Sequence, residues 1–267
     1  MQQLKIAFIG AGNMAEAMAS GLVRAGHPAA NLTMTDTRAD RLQALQAQYA
    51  IGVETDNKEA VSVADVVVLA VKPQQMQAVV SELSPVLDAS KTVVSIAAGV
   101  SLASLKKFAN GNSLSLIRAM PNTPALVGAG MSVLFSETSE HHRQQAEYVL
   151  GASGETAWVA QEAQLHAVTA VSGSGPAYFF LLAEIMQASA MAMGLPEELA
   201  ARLAAQTAKG AGLMLSETGR TPAELRNQVT SPGGTTQAAL DKRYEKGRPE
   251  AVRRGSAAAA KRSKELS

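Results

Sequence analysis

The sequence contains no cysteine. Disulfides, thiol nucleophiles and thiolate metal sites are therefore excluded together. Histidine is scarce as well, with four in the chain, and the pair His141 and His142 is adjacent rather than on one helical face. No metal site is expected. Charge of one sign is also missing: the formal net charge is +1, which creates no field to attract a polyanion. The basic cluster Arg253, Arg254, Lys261 and Arg262 is confined to the tail, so no nucleic-acid partner is expected. The opening stretch "MQQLKIAFIG" runs straight into a strand, without a charged leader, an apolar stretch and a small-residue cleavage site. By inspection no apolar run reaches the ~18 residues needed to span a bilayer. These absences predict a soluble, cytoplasmic protein with no membrane partner.

What is present is a chain of 267 residues, 47% hydrophobic and 18% charged, enough for one large or two medium domains with their own cores. The first 160 residues alternate short apolar runs with helical patterns, the sign of a parallel sheet covered on both faces. Strands are predicted at 4–9, 31–36, 66–71, 92–98, 113–118, 131–135 and 156–159. Helices are predicted at 13–25, closed by Gly26, and at 38–49, followed by Gly52. The fold class is α/β, an N-terminal Rossmann-like doubly wound sheet.

Beyond residue 160 the strand signal stops and alanine-rich helical runs take over. Pro176 suits the first turn of a helix continuing to about Met193, with Gly194 as its stop and Pro196 opening the next. "TPAE", residues 221 to 224, combines an N-cap threonine, a proline and a glutamate at the third position, a capping box. The reading is thus a dinucleotide-binding domain over 1–160 and an all-α domain over 161–267. The Ala, Met and Leu content of the latter suggests packing against a second subunit.

"IAFIGAGNMAEAM" places Gly10, Gly12 and Ala15 in a G-x-G-x-x-A pattern between a strand and a helix. Gly10 permits a tight turn, Gly12 lets the backbone approach a pyrophosphate, and Ala15 allows close helix-to-strand packing. The helix N-terminus adds N–H groups and partial positive charge. The end of the second strand leaves the choice of dinucleotide open. Asp36 alone would accept from a ribose 2'-hydroxyl, whereas Arg38 with Thr35 and Thr37 would hold a 2'-phosphate. A third reading makes Asp36 the N-cap of the next helix.

Three further stretches fall at strand ends, where such sheets bind ligands: "AVKPQ" (70–74), "SIAAGVS" (95–101) and "RAMPNTP" (118–124). With "VSGSGPAY" (171–178) and "VTSPGGTT" (229–236) they make the chain resemble pyrroline-5-carboxylate reductase, the last enzyme of proline biosynthesis. The resemblance runs from the first strand to about residue 240, with the motifs in order.

The resemblance implies a reductase that passes a hydride from NAD(P)H to the cyclic imine 1-pyrroline-5-carboxylate, giving L-proline. It implies NADP(H) as the preferred cofactor, with NAD(H) as the alternative, and assigns Thr35, Thr37 and Arg38 to the 2'-phosphate. Gly10, Ala11, Gly12, Asn13, Met14 and Ala15 would hold the pyrophosphate, and Asn57 its ribose side. The backbone of Ala70, Val71, Lys72 and Pro73, and that of Ala97, Ala98 and Gly99, would line the cofactor. Met120 and Asn122 would lie beside the nicotinamide. The helical half would form a homodimer, which in the family often builds a ring of five dimers, a decamer.

"QVTSPGGTTQAAL", residues 228 to 240, resembles the family's substrate loop. Ser231, Gly233, Gly234 and Thr235 would hold the substrate carboxylate, mostly through backbone N–H groups. Thr236 matches the threonine whose hydroxyl reaches the ring nitrogen, and Glu162 an acidic residue near that nitrogen. Reduction of an imine asks for positioning and a hydrogen-bonding group rather than a strong acid, metal or covalent nucleophile. A hydroxyl is a poor acid, so Thr236 is expected to orient the imine and relay a proton.

Competing structural readings stand beside these. Gly173-Ser174-Gly175 lacks the spacing of a serine nucleophile elbow and reads as a close helix contact. His166 reads as a helix-surface or interface residue, Lys72 as a cofactor contact or a plain strand-end charge, and Glu162 as a first-turn acid favoured by the helix dipole. A β-hydroxyacid dehydrogenase is the nearest enzymatic rival, but its helix lysine is followed one turn later by asparagine, whereas Lys209 is followed by Leu213. A non-catalytic NADP-binding sensor is the rival of another class. Finally, "DKRYEKGRPEAVRRGS" is highly charged and holds Pro249 and Gly255 where an apolar helix is expected. At ~3 and ~1 kcal/mol for proline and glycine inside a helix, a broken or poorly packed helix is predicted there.

Overall fold

Short runs of Val, Ile, Leu and Ala form the strands, and their alternation sorts side chains to the two faces of one sheet. The computed structural model describes residues 3–266. Eight strands, β1 (Ile6–Ile9), β2 (Leu32–Thr35), β3 (Gly52–Glu54), β4 (Val66–Leu69), β5 (Thr92–Ser95), β6 (Ser115–Met120), β7 (Gly130–Ser136) and β8 (Gly154–Trp158), stand in the order β3-β2-β1-β4-β5-β6-β7-β8. Ile6 and Phe8 of β1 face a core shared with Met18, Leu22 and Leu45, while Ala7 and Ile9 face another shared with Met76, Leu83 and Leu105. That period of two on a strand buried on both sides is why β1 reads as continuously apolar.

The helices on these faces are α1 (Asn13–Arg24), α2 (Ala39–Tyr49), α3 (Asn57–Ser62), α4 (Met76–Leu83), α5 (Leu102–Phe108) and α6 (Glu140–Gly151), followed by the short α7 (Leu165–Val168). Two departures from the sequence reading have clear causes. β3 was not expected, because "GVE" at the sheet edge is half-buried and carries no apolar run. β7 pairs antiparallel with β6, since the connection through the short 3-10 turn Thr123–Val127 is too brief for a parallel crossover. α2 ends at Tyr49 as expected, and Ala50, not Gly52, is the left-handed cap residue at φ 55.

The remaining helices are α8 (Gly175–Ala192), α9 (Glu197–Glu217), α10 (Pro222–Gln228), α11 (Thr235–Glu245) and α12 (Arg248–Glu265). Thr221 and Glu224 form the expected reciprocal capping box of α10. The compact units are Met1–Ser174 with Ala259–Ser267, and Gly175–Ala258. The division therefore falls later than residue 160, and the end of the chain returns to the first unit. A π-helical turn, Thr169–Gly173, precedes the division.

The helical run Glu162–Ala192 is long and apolar enough to cross a membrane by length and composition, with a mean hydropathy of 1.2 over its most apolar window, of which 11% is buried. This corrects the reading that no such stretch exists: Glu162, His166 and Glu184 interrupt the run by eye but leave its average apolar. Phe179, Phe180 and Leu181 of α8 are 63%, 65% and 55% exposed, an apolar surface too large for an isolated soluble helix pair to leave uncovered.

The charged segment is interrupted as expected, but at Lys246–Gly247 rather than at Pro249 or Gly255. α11 ends before Gly247, whose φ is 65, and Pro249 then falls in the first turn of α12, where a missing N–H costs nothing. Gly255 lies inside an unbroken helix. Poor packing is observed, since none of the described residues of 241–256 is buried.

Candidate active site

The first site grows from the turn after β1. Gly10 has φ +101, and a Cβ there would lie 2.9 Å from the carbonyl oxygen of Ala70. Only glycine lets the β1 and β4 ends approach this closely, and the turn is fixed by Gly10 N–H donating to Thr35 O at 2.9 Å and Ala70 N–H to Ile9 O at 2.9 Å. Gly12 is the N-cap of α1, with no side-chain cap, and a Cβ added to it would meet no atom within 4 Å. An uncapped helix N-terminus with room beside its cap residue is what a pyrophosphate requires. Ala15 is fully buried against the sheet, the close packing expected of a small residue. The turn lies beside β4, where the strand order reverses, the position at which such sheets bind nucleotides.

At the end of β2, Asp36 is neither a free ribose acceptor nor a helix cap. Its carboxylate accepts from Ala11 N–H at 3.0 Å, from Arg38 N–H at 3.0 Å, and from the Arg38 guanidinium at 2.9 and 3.0 Å. The Arg38 guanidinium, with help from the two amides, draws the Asp36 pKa down to about 2 against the opposing effect of burial. Thr37 and Arg38 are exposed, as a phosphate contact requires, but Thr35 is 1% exposed and donates its hydroxyl to Asn57 Oδ1 at 2.6 Å. Thr35 therefore orients Asn57 from beneath, and its expected role on the 2'-phosphate is corrected.

Sequence reading missed Arg41. Its Nε donates to Ala11 O at 3.0 Å, and its guanidinium pairs with Glu16, which also accepts from Tyr49. Burial would raise the Glu16 pKa, yet the Arg41 and Tyr49 hydrogen bonds hold it below the usual carboxylate range. A second arginine one helical turn after Arg38 was the available signal.

The other predicted cofactor segments sit at the carboxyl ends of β4, β5 and β6 as expected. Pro73 opens a 3-10 turn with exposed Lys72 as its N-cap. Ala97 and Gly99 are buried and Ala98 is exposed; Gly99 has φ +78, and a Cβ there would lie 2.6 Å from Leu266 O. Asn122 is 8% exposed, accepting from Met131 N–H at 2.8 Å and donating to Ser172 O at 3.1 Å. Its amide therefore shapes the loop. A Cβ at Gly173 would lie 2.5 Å from Met120 Cε, so the glycine of "VSGSG" serves close packing, not nucleophilic chemistry.

Glu162 opens a 3-10 turn, but its carboxylate faces the sheet unit. One oxygen accepts from Arg118 Nη1 at 2.9 Å and from Leu102 N–H at 2.9 Å. Arg118, missed in the sequence, is 4% exposed; a charge within the apolar strand "SLIRAM" was the signal that a buried acid must meet it. His166 accepts from or donates to Ser263 Oγ at 3.0 Å, and burial together with the nearby Arg118 and Lys264 lowers its pKa.

The helical unit carries the second loop. Ser231-Pro232-Gly233-Gly234 closes with Gly234 N–H donating to Ser231 O at 3.0 Å, and Gly233 has φ +72. Proline and a left-handed glycine at the two central positions are what a type II turn demands. Gly234 is then the N-cap of α11 without a side-chain cap, and a Cβ there would lie 2.5 Å from Ser231 Oγ. Thr235 and Thr236 are the first residues of the helix. The turn and the uncapped N-terminus bring Ser231, Thr235 and Thr236 to one helix end, the kind of position that favours an anion. On α9, Lys209 is followed one turn later by Leu213, without the asparagine of the hydroxyacid dehydrogenases.

Comparisons with known proteins give the family. Residues 162–266 match the family described as pyrroline-5-carboxylate reductase dimerisation, and residues 5–99 match NADP oxidoreductases, coenzyme F420-dependent. The chain is 46% identical to the pyrroline-5-carboxylate reductase of Pseudomonas aeruginosa, over 100% of this chain and 98% of that protein. Among solved structures it is similar to a pyrroline-5-carboxylate reductase from Coxiella burnetii, with a TM-score of 0.93, 38% identity and coverage of 99% and 98% of the two chains. It is also similar to the pyrroline carboxylate reductase of Plasmodium falciparum with NADP bound, with a TM-score of 0.88, 28% identity and coverage of 100% and 99%.

Proposed function

The chain belongs to the pyrroline-5-carboxylate reductase family, and on that premise we propose how its residues divide the work of reducing 1-pyrroline-5-carboxylate to L-proline. The enzyme is an NAD(P)H-dependent oxidoreductase acting on a cyclic imine, and we place it at the last step of proline biosynthesis. The observation that carries the division is the contrast between its two glycine-capped helices. α1 lies at the switch point of the sheet, and a Cβ added to its cap residue Gly12 would meet no atom within 4 Å, which suits the pyrophosphate of NADP(H). α11 follows a type II turn bearing Ser231 and leads with two threonines, which suits a carboxylate beside a polar ring atom.

The residues present fit the cofactor. Gly10 to Ala15 would hold the pyrophosphate, Asn57 the ribose side, and Thr37 and Arg38 the 2'-phosphate; Asp36, already paired with Arg38, presents less uncompensated charge to that phosphate. Ala70 to Pro73, Ala97 to Gly99, and Met120 with Asn122 would line the remainder. When bound, the reduced nicotinamide supplies the hydride. The chain's own task is then to fix the imine. Ser231, Gly233, Gly234 and Thr235 hold the substrate carboxylate, and the Thr236 hydroxyl donates toward the ring nitrogen, holding its orientation and passing on a proton from solvent. Effective catalysis here rests on position, since an alcohol is too weak an acid to protonate the nitrogen by itself.

The exposed apolar faces of α8 and α9, including Phe179, Phe180, Leu203 and Leu213, support a homodimer; assembly of five such dimers into a decamer rests on the family resemblance alone. In this reading the run Glu162–Ala192 is covered by a second copy of the chain and not by lipid. Light scattering should give a mass of two or ten chains; a monomer at micromolar concentration would count against it.

The deciding assay is oxidation of NADPH and of NADH, side by side, with and without pyrroline-5-carboxylate. A substrate-dependent rate, larger with NADPH, is expected. Tight NADPH binding with no substrate-dependent rate would instead identify a sensor.

A further inference from the structure

We infer that Glu162 is a positioning residue for the two cofactor-lining loops after β5 and β6, and not a contact to the substrate. The inference rests on the reading that Ala97 to Gly99 and Met120 to Asn122 line the dinucleotide. One carboxylate oxygen of Glu162 joins these loops. It accepts from Arg118 at 2.9 Å, two residues before Met120 ends β6, and from the N–H of Leu102 at 2.9 Å, three residues after Gly99.

Each bond answers a need of the chain. Arg118 stands beside Ser95 in the register of β5 and β6, and with its side chain 5% exposed the guanidinium requires an acid partner. Leu102 is the first residue of α5, so its N–H has no partner within the helix. The Ser101 hydroxyl serves Ser104 N–H instead. A carboxylate at this end of a helix also meets the positive end of its dipole. Without Glu162 both a buried cation and a helix-end donor lose their acceptor at once, and the two loops lose their common anchor.

The segment 97–102 is held from its other end as well. The backbone of Leu266 lies so close to Gly99 that no Cβ could be added, and Ser263 of the same C-terminal stretch meets His166, four residues beyond Glu162. The loop after β6 is fixed in turn by the Asn122 amide. Glu162 thus touches the supports of both loops.

The test compares wild type, Glu162→Ala and Glu162→Gln in two measurements. NADPH affinity is read by titrating nicotinamide fluorescence without substrate, and the KM for pyrroline-5-carboxylate is read at saturating NADPH. A positioning role predicts that Glu162→Ala weakens NADPH about tenfold or more while the imine KM changes less than about threefold. Glu162→Gln keeps an oxygen that can accept both hydrogen bonds and should restore most of the affinity. Unchanged NADPH affinity, or a loss confined to the imine KM, would overturn the inference and return Glu162 to the substrate. Should Glu162→Ala fail to fold by circular dichroism, Arg118→Lys takes its place, with weakened NADPH again expected and an unchanged affinity in both Arg118→Lys and Glu162→Gln counting against the role. The underlying reading fails separately: it is lost if wild type does not bind NADPH, or if Gly12→Val, which fills the space beside the α1 cap residue, binds as well as wild type.

Discussion

The guanidinium of Arg38 grips both carboxylate oxygens of Asp36, at 2.9 and 3.0 Å, while Ala11 N–H donates to one of them. The acid that would mark an NAD site and the base that would mark an NADP site are therefore one unit, joined to the glycine loop. Removing the base leaves the acid to face the cofactor alone. Arg38→Ala should raise the KM for NADPH about tenfold, the usual scale for a lost charge-assisted phosphate contact, and should leave the KM for NADH unchanged or lower. Initial rates with both cofactors at saturating imine check this; an equal rise for both would mean that Arg38 serves the fold of the loop instead.

The same pair sets an acid dependence. Because Arg38 lowers the Asp36 pKa from 3.8 to about 2 in the folded protein, the ionised pair contributes its full stability above the unfolded value and loses it as pH falls through the folded one. Wild type should thus lose stability between about pH 4 and pH 2 in part through this group. Asp36→Asn, already without the charge, should be less stable at neutral pH and show a shallower decline over that window. Urea melts at pH 5, 4 and 3 measure the two slopes, and parallel slopes would exclude the contribution.

Much of this was legible because it is local. Gly10, Gly12 and Ala15 announce a dinucleotide turn by spacing alone, and Thr221 with Glu224 announce a helix start, since each device is complete within a few residues. What was illegible is non-local. β3 owes its existence to β2 rather than to its own half-buried "GVE". The border at 160, drawn where strands end, lies beside the start of the dimerisation match at 162, while the compact units divide later, at Ser174, after α7 and a π-helical turn. Nor could spacing show that Glu162 meets Arg118, 44 residues away, or that residues 259–267 return to the first unit. Pro249 misled for a smaller reason: the pattern gave the proline but not the helix start one residue before it.

The return of the C-terminus makes Gly99 a sensitive position. Its φ of +78 and the Leu266 carbonyl 2.6 Å from an added Cβ are two separate penalties. Gly99→Ala should cost roughly 1–2 kcal/mol for the left-handed backbone and roughly 1–3 kcal/mol more for displacing the tail, and NADPH affinity should fall with it. Deleting residues from Leu266 onward removes only the second penalty. In that shortened chain Gly99→Ala should therefore cost less than in the full chain, and a cycle of the four proteins by denaturant unfolding gives the difference. A cost independent of the tail would show that the contact with Leu266 is easily displaced.

Thr236 carries the narrowest claim. It occupies the first turn of α11, after a glycine N-cap that provides no side-chain acceptor, so its hydroxyl and the helix amides act on the same small region. If the hydroxyl orients the imine nitrogen, Thr236→Ala should lower kcat by roughly 10- to 100-fold, the lower part of the range for proton-handling side chains. NADPH affinity should remain within about twofold. Thr236→Ser keeps the hydroxyl and should retain most of the turnover. The carboxylate cradle predicts a different signature: Ser231→Ala should raise the imine KM with a smaller effect on kcat, because it removes binding that ground and transition states share. A Thr236→Ala enzyme with unchanged kcat would leave the backbone amides of the loop as the sole source of orientation.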